Sequence, residues 1–148
     1  MLTLDDIKDA RRRLGRTERV VKRAPKADDY LRYVKESVPL GEVEGYLRLM
    51  QNAGRLRYQR NNTGAIRDKT NRPVTFGEAG SPDFYVFLPG GKLLQLEVKR
   101  PVGGKLSPNQ EAWRDAMMNL GHRYEVVTSG IEAQKFVESA LKGFNDGR

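Results

Sequence analysis

The chain has 148 residues, the size of one domain with its own hydrophobic core. Its 27 Lys and Arg residues exceed its 19 Asp and Glu residues, and the formal charge of +8 favours a polyanionic partner. No apolar run approaches the ~20 residues that cross a bilayer, so we expect no membrane-spanning segment. With no Cys and a single His the chain lacks the ligands of a zinc site, so any metal would be bound by oxygen. No secretion signal is recognised, and we expect a cytosolic or nuclear protein.

Residues 1–39 are predicted to form a basic helical extension. A capping-box pattern begins a helix near Thr3, and Gly15 ends it. The exposed face of this helix carries Arg11–Arg13, which form either a solvated surface or a nucleic-acid contact. Tyr30–Lys35 predicts another helical turn or two.

Pro39 and Gly41 predict a boundary, after which residues 40–142 are expected to form the main domain. Helical and strand patterns alternate there, which indicates an α/β fold. The predicted elements are helices at Glu42–Ala53, from Ser107 to Gly121 and at Ile131–Leu141, and strands at Leu56–Gln59, Phe84–Leu88, Leu93–Lys99 and Tyr124–Thr128. The polar segment Arg67–Gly80 predicts a mobile loop or an irregular hairpin, and residues 143–148 should fray.

The helix after Ser107 has the clearest start signal in the chain. Ser107 is suited to the N-cap, Pro108 to the first helical position, and Gln110 to the second half of a capping box. Its apolar stripe predicts packing in the core rather than a cofactor site: Trp113, Ala116, Met117 and Leu120.

Acidic and basic side chains come together at the end of the two strongest strands. In the second strand Gln95, Glu97 and Lys99 share one face, because alternate residues of a strand point the same way. The other face is wholly apolar and is predicted to be the core. Asp83 immediately precedes the first strand, so the turn between the strands decides whether Asp83 can meet Glu97.

A three-residue turn at Pro89–Gly91, with a glycine in the left-handed conformation, pairs residues whose numbers sum to 180 and sets Asp83 opposite Glu97. A two-residue turn would set Asp83 opposite Val98, on the wrong face. Two opposed carboxylates repel each other unless a cation lies between them, and Mg²⁺ or Mn²⁺ suits such a site. Lys99 beside the metal could orient or help deprotonate an attacking water. The array predicts metal-assisted phosphodiester hydrolysis, and the alternative is a surface salt-bridge cluster.

The motifs around these residues resemble a known family. They are Arg60-Asn61-Asn62-Thr63-Gly64-Ala65, Gly80-Ser81-Pro82-Asp83, Leu88-Pro89-Gly90-Gly91, Leu96-Glu97-Val98-Lys99-Arg100-Pro101 and Gly104-Lys105-Leu106-Ser107-Pro108-Asn109-Gln110. From about Glu42 to Ile131 the chain resembles the VRR-NUC (virus-type replication-repair nuclease) domain of the PD-(D/E)XK superfamily. The resemblance implies a restriction-endonuclease-like core, a mixed β-sheet flanked by helices, and metal-dependent DNA cleavage.

The resemblance also implies functional residues. Asp83, Glu97 and Lys99 match the family's catalytic motif, with the two acids as metal ligands. A glutamate of the first helix completes the metal site; Glu44 fits best and Glu42 is the alternative. Gln110 matches a helix glutamine near the metal, although a capping role would explain it equally well. The predicted DNA contacts, each of which could instead be a turn residue or solvated charge, are Arg60, Asn62, Arg67, Lys69, Arg72, Arg100 and Lys105.

The leading hypothesis is a Mg²⁺- or Mn²⁺-dependent endonuclease of DNA repair in the cytoplasm of a bacterial or phage-infected cell. The resemblance implies a homodimer that cuts branched DNA such as four-way junctions or flaps. The alternatives are a non-catalytic basic DNA-binding protein and an RNA-directed nuclease of the same fold.

Overall fold

The computed structural model describes residues 27–145, and the side chains of residues 29–142. The helix predicted near Thr3 and its basic face lie outside the described residues. The elements in chain order are α1 (Ala27–Leu31), α2 (Ser37–Asn52), β1 (Arg57–Arg60), β2 (Gly64–Arg67), β3 (Pro73–Phe76), β4 (Phe84–Leu88), β5 (Lys92–Val98), α3 (Pro108–Asn119), β6 (Arg123–Val127) and α4 (Gly130–Asn145). The four predicted strands are confirmed to within one residue at each end.

A four-stranded mixed sheet in the order β1-β4-β5-β6 forms the centre of the fold. β1, β4 and β5 are antiparallel, and β6 pairs parallel to β5. Helices flank this sheet, so the predicted mixed α/β class is confirmed. Strands β2 and β3 form a separate two-stranded sheet, which confirms a hairpin rather than a loop in the Arg67–Gly80 region, although the hairpin begins at Gly64.

One face of the central sheet is apolar and carries the core. Alternate side chains of β4 and β5 are buried there and pack with the inward faces of α2 and α4, because strand and helix periods each place their apolar residues on one side. The fully buried members include Phe84, Val86, Leu94, Leu96, Val98, Val43, Leu47 and Val137. Burying one such side chain contributes about 1.5–3 kcal/mol, so this layer dominates the stability of the domain.

Helix α2 begins at Ser37, earlier than the predicted start at Glu42. The predicted boundary at Pro39 and Gly41 does not interrupt it. Pro39 lies in the first turn, where a backbone N–H has no intrahelical acceptor, so proline costs nothing there. Its ring is buried, and Gly54, with φ of 69°, follows the end of the helix as predicted.

Two other helices differ from their predictions at the ends of the described chain. α1 ends at Leu31, earlier than the turns expected at Tyr30–Lys35. α4 continues to Asn145, so the fraying expected from Gly143 is wrong for the backbone up to that residue. None of the helices in residues 27–145 has the length and apolar character of a membrane span.

The predicted core stripe of α3 is wrong, because no residue of this helix is buried. Trp113 and Met117 are half-buried, whereas Ala116 and Leu120 are exposed. The reason is that α3 covers the polar face of the sheet, and Trp113 Nε1 donates a hydrogen bond of 2.8 Å to Gln95 Oε1. Both faces of β5 are therefore covered, one by apolar contacts and one by polar contacts.

Candidate active site

The turn between β4 and β5 sets the register that the sequence predicted. Phe84 pairs with Leu96 and Val86 with Leu94, and each pair sums to 180. Gly90 and Gly91 have φ of 75° and 72°, the left-handed conformation that a three-residue turn requires.

The same register, continued by one residue, sets Asp83 opposite Glu97. Asp83 Oδ2 accepts a hydrogen bond of 2.8 Å from Val98 N, which fixes the Asp83 carboxylate against the end of β5.

Lys99 and Glu97 form a buried ion pair. Their residues are 8% and 1% exposed, and Lys99 Nζ lies 2.6 Å from Glu97 Oε1. Burial raises the pKa of Glu97 to about 7, with a further rise from the charge of Asp83 and an opposing effect from Lys99. Burial also raises the pKa of Asp83, although the hydrogen bond from Val98 lowers it. One ammonium therefore does not fully compensate the two carboxylates.

Gln110 caps α3 and also contacts Glu97 of the candidate site, so the structure contains both interactions between which the sequence could not decide. Its Oε1 accepts a 2.9 Å hydrogen bond from Ser107 N, and Ser107 Oγ accepts one of 3.3 Å from Gln110 N, which completes the capping box. Its Nε2 donates to Glu97 Oε1. The cap of α3 thus holds a carboxylate of the candidate site.

Gly80 allows the loop before Asp83 to approach the start of α3. A Cβ on Gly80 would lie 2.3 Å from Asn109 O, and its φ is 88°. Only glycine combines this conformation with this approach. The contact brings the Asp83 loop and Gln110 to the same end of the sheet.

We expect two substitutions to separate the functions of Gln110. Ser107→Ala removes the cap alone and should lower stability by about 1 kcal/mol with little change in catalysis. Gln110→Ala removes the cap interaction and also the hydrogen bond to Glu97, so it should lower any cleavage rate by about tenfold or more as well. Thermal unfolding and cleavage rates of the two variants provide the measurement. Equal rates for the two variants would mean that Gln110 only caps the helix.

Asn61 lies beside Asp83 but was not among the residues predicted from sequence, whereas its neighbour Asn62, the predicted DNA contact, is exposed. Asn61 N donates to Asp83 O at 2.8 Å, and its Nδ2 donates to Ser81 Oγ at 2.6 Å and Pro82 O at 3.1 Å. The two adjacent asparagines could not be distinguished by motif. The pairing of Arg60 with Phe84, had it been known, would have placed Asn61 beside Asp83.

Tyr124 was also missed. β6 pairs Tyr124 with Gln95, so its buried ring lies on the same face of the sheet as Glu97. Burial raises the pKa of the Tyr124 hydroxyl, and the charges of Glu97 and Asp83 raise it further. The phenol therefore stays protonated beside the two acids.

The two acids of α2 that were predicted as metal ligands, Glu44 and Glu42, both have other partners in the structure. Glu42 accepts a 3.0 Å hydrogen bond from Gly130 N at the start of α4, and Glu44 forms ion pairs of 2.8 Å with Arg60 and 3.4 Å with Arg48. Among the described side chains, no group of three or more His, Asp or Glu residues is placed to hold a metal ion.

Glu36, immediately before α2, is a further acid that the sequence analysis did not consider. Its charge raises the pKa of both Asp83 and Glu97. The signal was the position of Pro39, which would have placed the start of α2 next to Glu36.

The predicted DNA contacts lie in three places. Arg60 is beside the site, where its charge lowers the pKa of Asp83, and its guanidinium pairs with Glu44. Arg100 and Lys105 are exposed in the loop that follows Lys99. The others belong to the β2–β3 hairpin: Arg67, Lys69 and Arg72.

The donor atoms fit a hard divalent cation with two protein ligands. Glu97 Oε2 is buried and has no hydrogen-bond partner among the described residues, although its partner oxygen accepts from Lys99 and Gln110. Carboxylate oxygens suit Mg²⁺ and Mn²⁺, which complete their shells with waters and substrate phosphate. Asp83 and Glu97 are therefore the side chains that could hold the metal.

Comparison with known proteins shows the family to which the chain belongs. The sequence model of the VRR-NUC domain matches residues 50–130, more than half of the chain. The chain belongs to the VRR-NUC family. A solved structure described as a VRR_NUC domain is similar to this VRR-NUC chain at 24% identity and a TM-score of 0.49, over 68% of this chain and 96% of that one. No curated protein matches.

The matched segment of the VRR-NUC domain contains the assembled residues. Asp83, Glu97, Lys99 and Gln110 all lie within residues 50–130. Glu36, in contrast, precedes the matched segment. The family match therefore covers Asp83, Glu97, Lys99 and Gln110, and it does not extend to the candidate acids Glu36, Glu42 and Glu44.

Proposed function

We propose that this VRR-NUC chain is a divalent-metal-dependent nuclease that hydrolyses DNA phosphodiester bonds. The observation that carries the proposal is the opposition of Asp83 and Glu97 beside the buried ammonium of Lys99. The formal charge of +8 favours a polyanionic substrate around this acidic centre.

Each residue of the site has a chemical role in this proposal. Asp83 and Glu97 would hold a divalent metal, which would supply Lewis acidity at the scissile phosphate. Lys99 orients the attacking water and stabilises the negative charge that develops on the phosphate oxygens. Gln110 would hold Glu97 through its hydrogen bond, and Arg60, whose charge acts on Asp83, would contact the scissile phosphate. The attacking water would form a new P–O bond and lose a proton, while one ester P–O bond breaks and the leaving sugar oxygen takes up a proton.

We further propose that the enzyme is a homodimer with a preference for branched DNA. A two-fold axis would present two sites to the two strands of a symmetric branch. Among the described residues there is no base-reading helix or zinc module, so selectivity would come from the shape of the DNA.

A non-catalytic DNA-binding protein is the main competing class. Such a protein gains nothing from a buried Lys99–Glu97 pair, because desolvating two charges costs several kcal/mol, about as much as their attraction returns. The buried site therefore favours catalysis over binding alone.

The proposed function is tested by cleavage of a substrate panel. Supercoiled plasmid, linear duplex, 5′ flap, four-way junction and single-stranded RNA are incubated with Mg²⁺, Mn²⁺ or EDTA. We expect metal-dependent cleavage of DNA that Asp83→Asn abolishes. Cleavage of RNA alone would favour the RNA-directed nuclease, and salt-sensitive binding without cleavage would favour the binding protein. Sedimentation at twice the chain mass supports the dimer.

A second experiment decides which acid of the α2 region assists the site. Glu36→Gln should lower the cleavage rate by about tenfold or more and raise the metal concentration that half-maximal cleavage requires, because the charge of Glu36 acts on both carboxylates. Glu44→Gln should have a smaller effect, since its carboxylate is committed to Arg60 and Arg48. Glu42→Gln, which affects only the start of α4, is the matched control. A larger loss of cleavage rate for Glu44→Gln than for Glu36→Gln would support Glu44 as the metal ligand, as predicted from the sequence.

A further inference from the structure

Strands β2 and β3 form an exposed ribbon with one apolar face. All eight of their residues are exposed, and the pairing of Ile66 with Val74 and of Gly64 with Phe76 places these four on one side. Ile66, Val74 and Phe76 are 59%, 44% and 41% exposed. These exposed fractions leave the face open to solvent, which is unusual for three neighbouring large apolar side chains.

The tip of the ribbon is held in a defined conformation. The Asp68 carboxylate accepts hydrogen bonds from Thr70 N at 2.8 Å, Thr70 Oγ1 at 2.7 Å and Arg72 N at 2.9 Å. Arg67 donates to Asn71 O at 2.9 Å. A two-stranded ribbon alone is marginally stable in water, and these hydrogen bonds restrict the conformations of its tip. The entropy lost when a partner binds the ribbon is therefore smaller.

The charge of the ribbon complements phosphate. Residues 64–77 contain three basic residues and one acid, a net charge of +2. Asp68 pairs with Arg72. Lys69 forms no ion pair or hydrogen bond within the described part of the chain, and Arg67 bonds only to Asn71 there. Two cations at the tip are therefore available to an anionic partner.

The ribbon begins beside the candidate active site. Asn61, which is bonded to Ser81, Pro82 and Asp83, precedes Gly64 by three residues. A nucleic acid whose scissile phosphate lay near Asp83 would therefore pass close to the ribbon. This location and the positive charge favour DNA, rather than a second protein chain, as the occupant of the apolar face.

We propose that the β2–β3 ribbon enters branched DNA, with its basic tip on phosphates and its apolar face against unstacked bases. The proposal rests on the proposed function for its substrate class. A regular duplex hides base faces by stacking, whereas a branch exposes them, and apolar side chains wedge at unstacked steps. The ribbon then distinguishes a branch from a linear duplex without reading sequence.

The test measures binding in the Asp83→Asn background, where cleavage does not interfere. Fluorescence anisotropy with Mg²⁺ compares a four-way junction, a flap and a duplex of the same sequence. The double substitution Ile66→Ser and Val74→Ser should weaken junction and flap binding by about tenfold and duplex binding by less than about twofold. Thr75→Ser, on the opposite face, is the matched control. Lys69→Gln should weaken all three similarly and reduce the salt dependence by about one counterion.

Two results would overturn the proposal. One is equal weakening of junction and duplex by the double substitution in a protein whose circular dichroism and thermal unfolding are unchanged. The other is a change in sedimentation mass without a change in discrimination, which would make the face a protein interface. If the wild type cleaves nothing but the Asp83→Asn protein still discriminates branches through this face, the nuclease proposal fails and the ribbon proposal stands.

Discussion

Replacing Glu97 with glutamine should reduce metal-dependent cleavage by about 10³-fold or more while the chain stays folded. The amide has the shape of the carboxylate and keeps an oxygen that can accept from Lys99 and Gln110. It loses the charge that a divalent cation requires. Burial raises the pKa of Glu97 to about 7, so the site favours the neutral form of this side chain more than water does. Single-turnover cleavage rates and thermal unfolding provide the measurements.

Glu125→Gln is the matched control for this experiment. Glu125 lies on the neighbouring strand β6, opposite Leu96, and pairs with Arg123 at 3.2 Å, away from the metal-binding face. The control should retain its cleavage rate. If Glu97→Gln cleaves at a rate within about tenfold of the wild type, Glu97 is not a ligand of the catalytic metal.

Replacing Lys99 with methionine should have opposite effects on catalysis and on metal-induced stabilisation. Cleavage should fall by about 10²-fold or more, because the group that orients water and stabilises phosphate charge is lost. The metal-free protein should unfold at a lower temperature, since Asp83 and Glu97 then repel each other without the ammonium 2.6 Å from Glu97. The rise in unfolding temperature on adding Mg²⁺ or Mn²⁺ should be larger than in the wild type, because no lysine competes with the metal.

Arg100→Met provides the comparison for Lys99→Met. It removes a positive charge from the next residue, which is exposed and, within the described residues, donates a hydrogen bond only to Gly103 O. Its metal-induced stabilisation should match that of the wild type. If metal raises the unfolding temperature of the Lys99 and Arg100 variants equally, Lys99 does not compete with the metal for Asp83 and Glu97.

The parts of this site that depend on local interactions were predictable from sequence. The turn at Pro89–Gly91 needs only two glycines and a proline to set the register of β4 and β5. The capping box of α3 is likewise contained in four adjacent residues from Ser107 to Gln110. The turn sets Asp83 opposite Glu97, and strand alternation places Lys99 on the same face as Glu97. The contact of Gln110 with Glu97 depends in addition on how α3 packs on the sheet.

The parts that depend on how elements pack could not be predicted. The apolar spacing of α3 shows a helix face but not what it covers, and here it covers polar Gln95 rather than the core. Which acid of the α2 region faces Asp83 depends on where the helix starts and how it crosses the sheet. The predicted choice between Glu42 and Glu44 assumed that the helix starts at Glu42. The helix starts at Ser37 instead, and Glu36, just before it, is the acid of this region whose charge raises the pKa of Asp83.

The opposition of Asp83 and Glu97 is a property of the backbone rather than of side-chain packing. Five residues of β4, about 17 Å of strand, separate Asp83 from the turn that aligns the pair. Core residues on the other face can therefore be exchanged for others of similar volume without separating the two acids. A single-residue insertion or deletion in Pro89–Gly91, in contrast, would turn one acid to the wrong side of the sheet, so the evolution of this hairpin is constrained in length more than in composition.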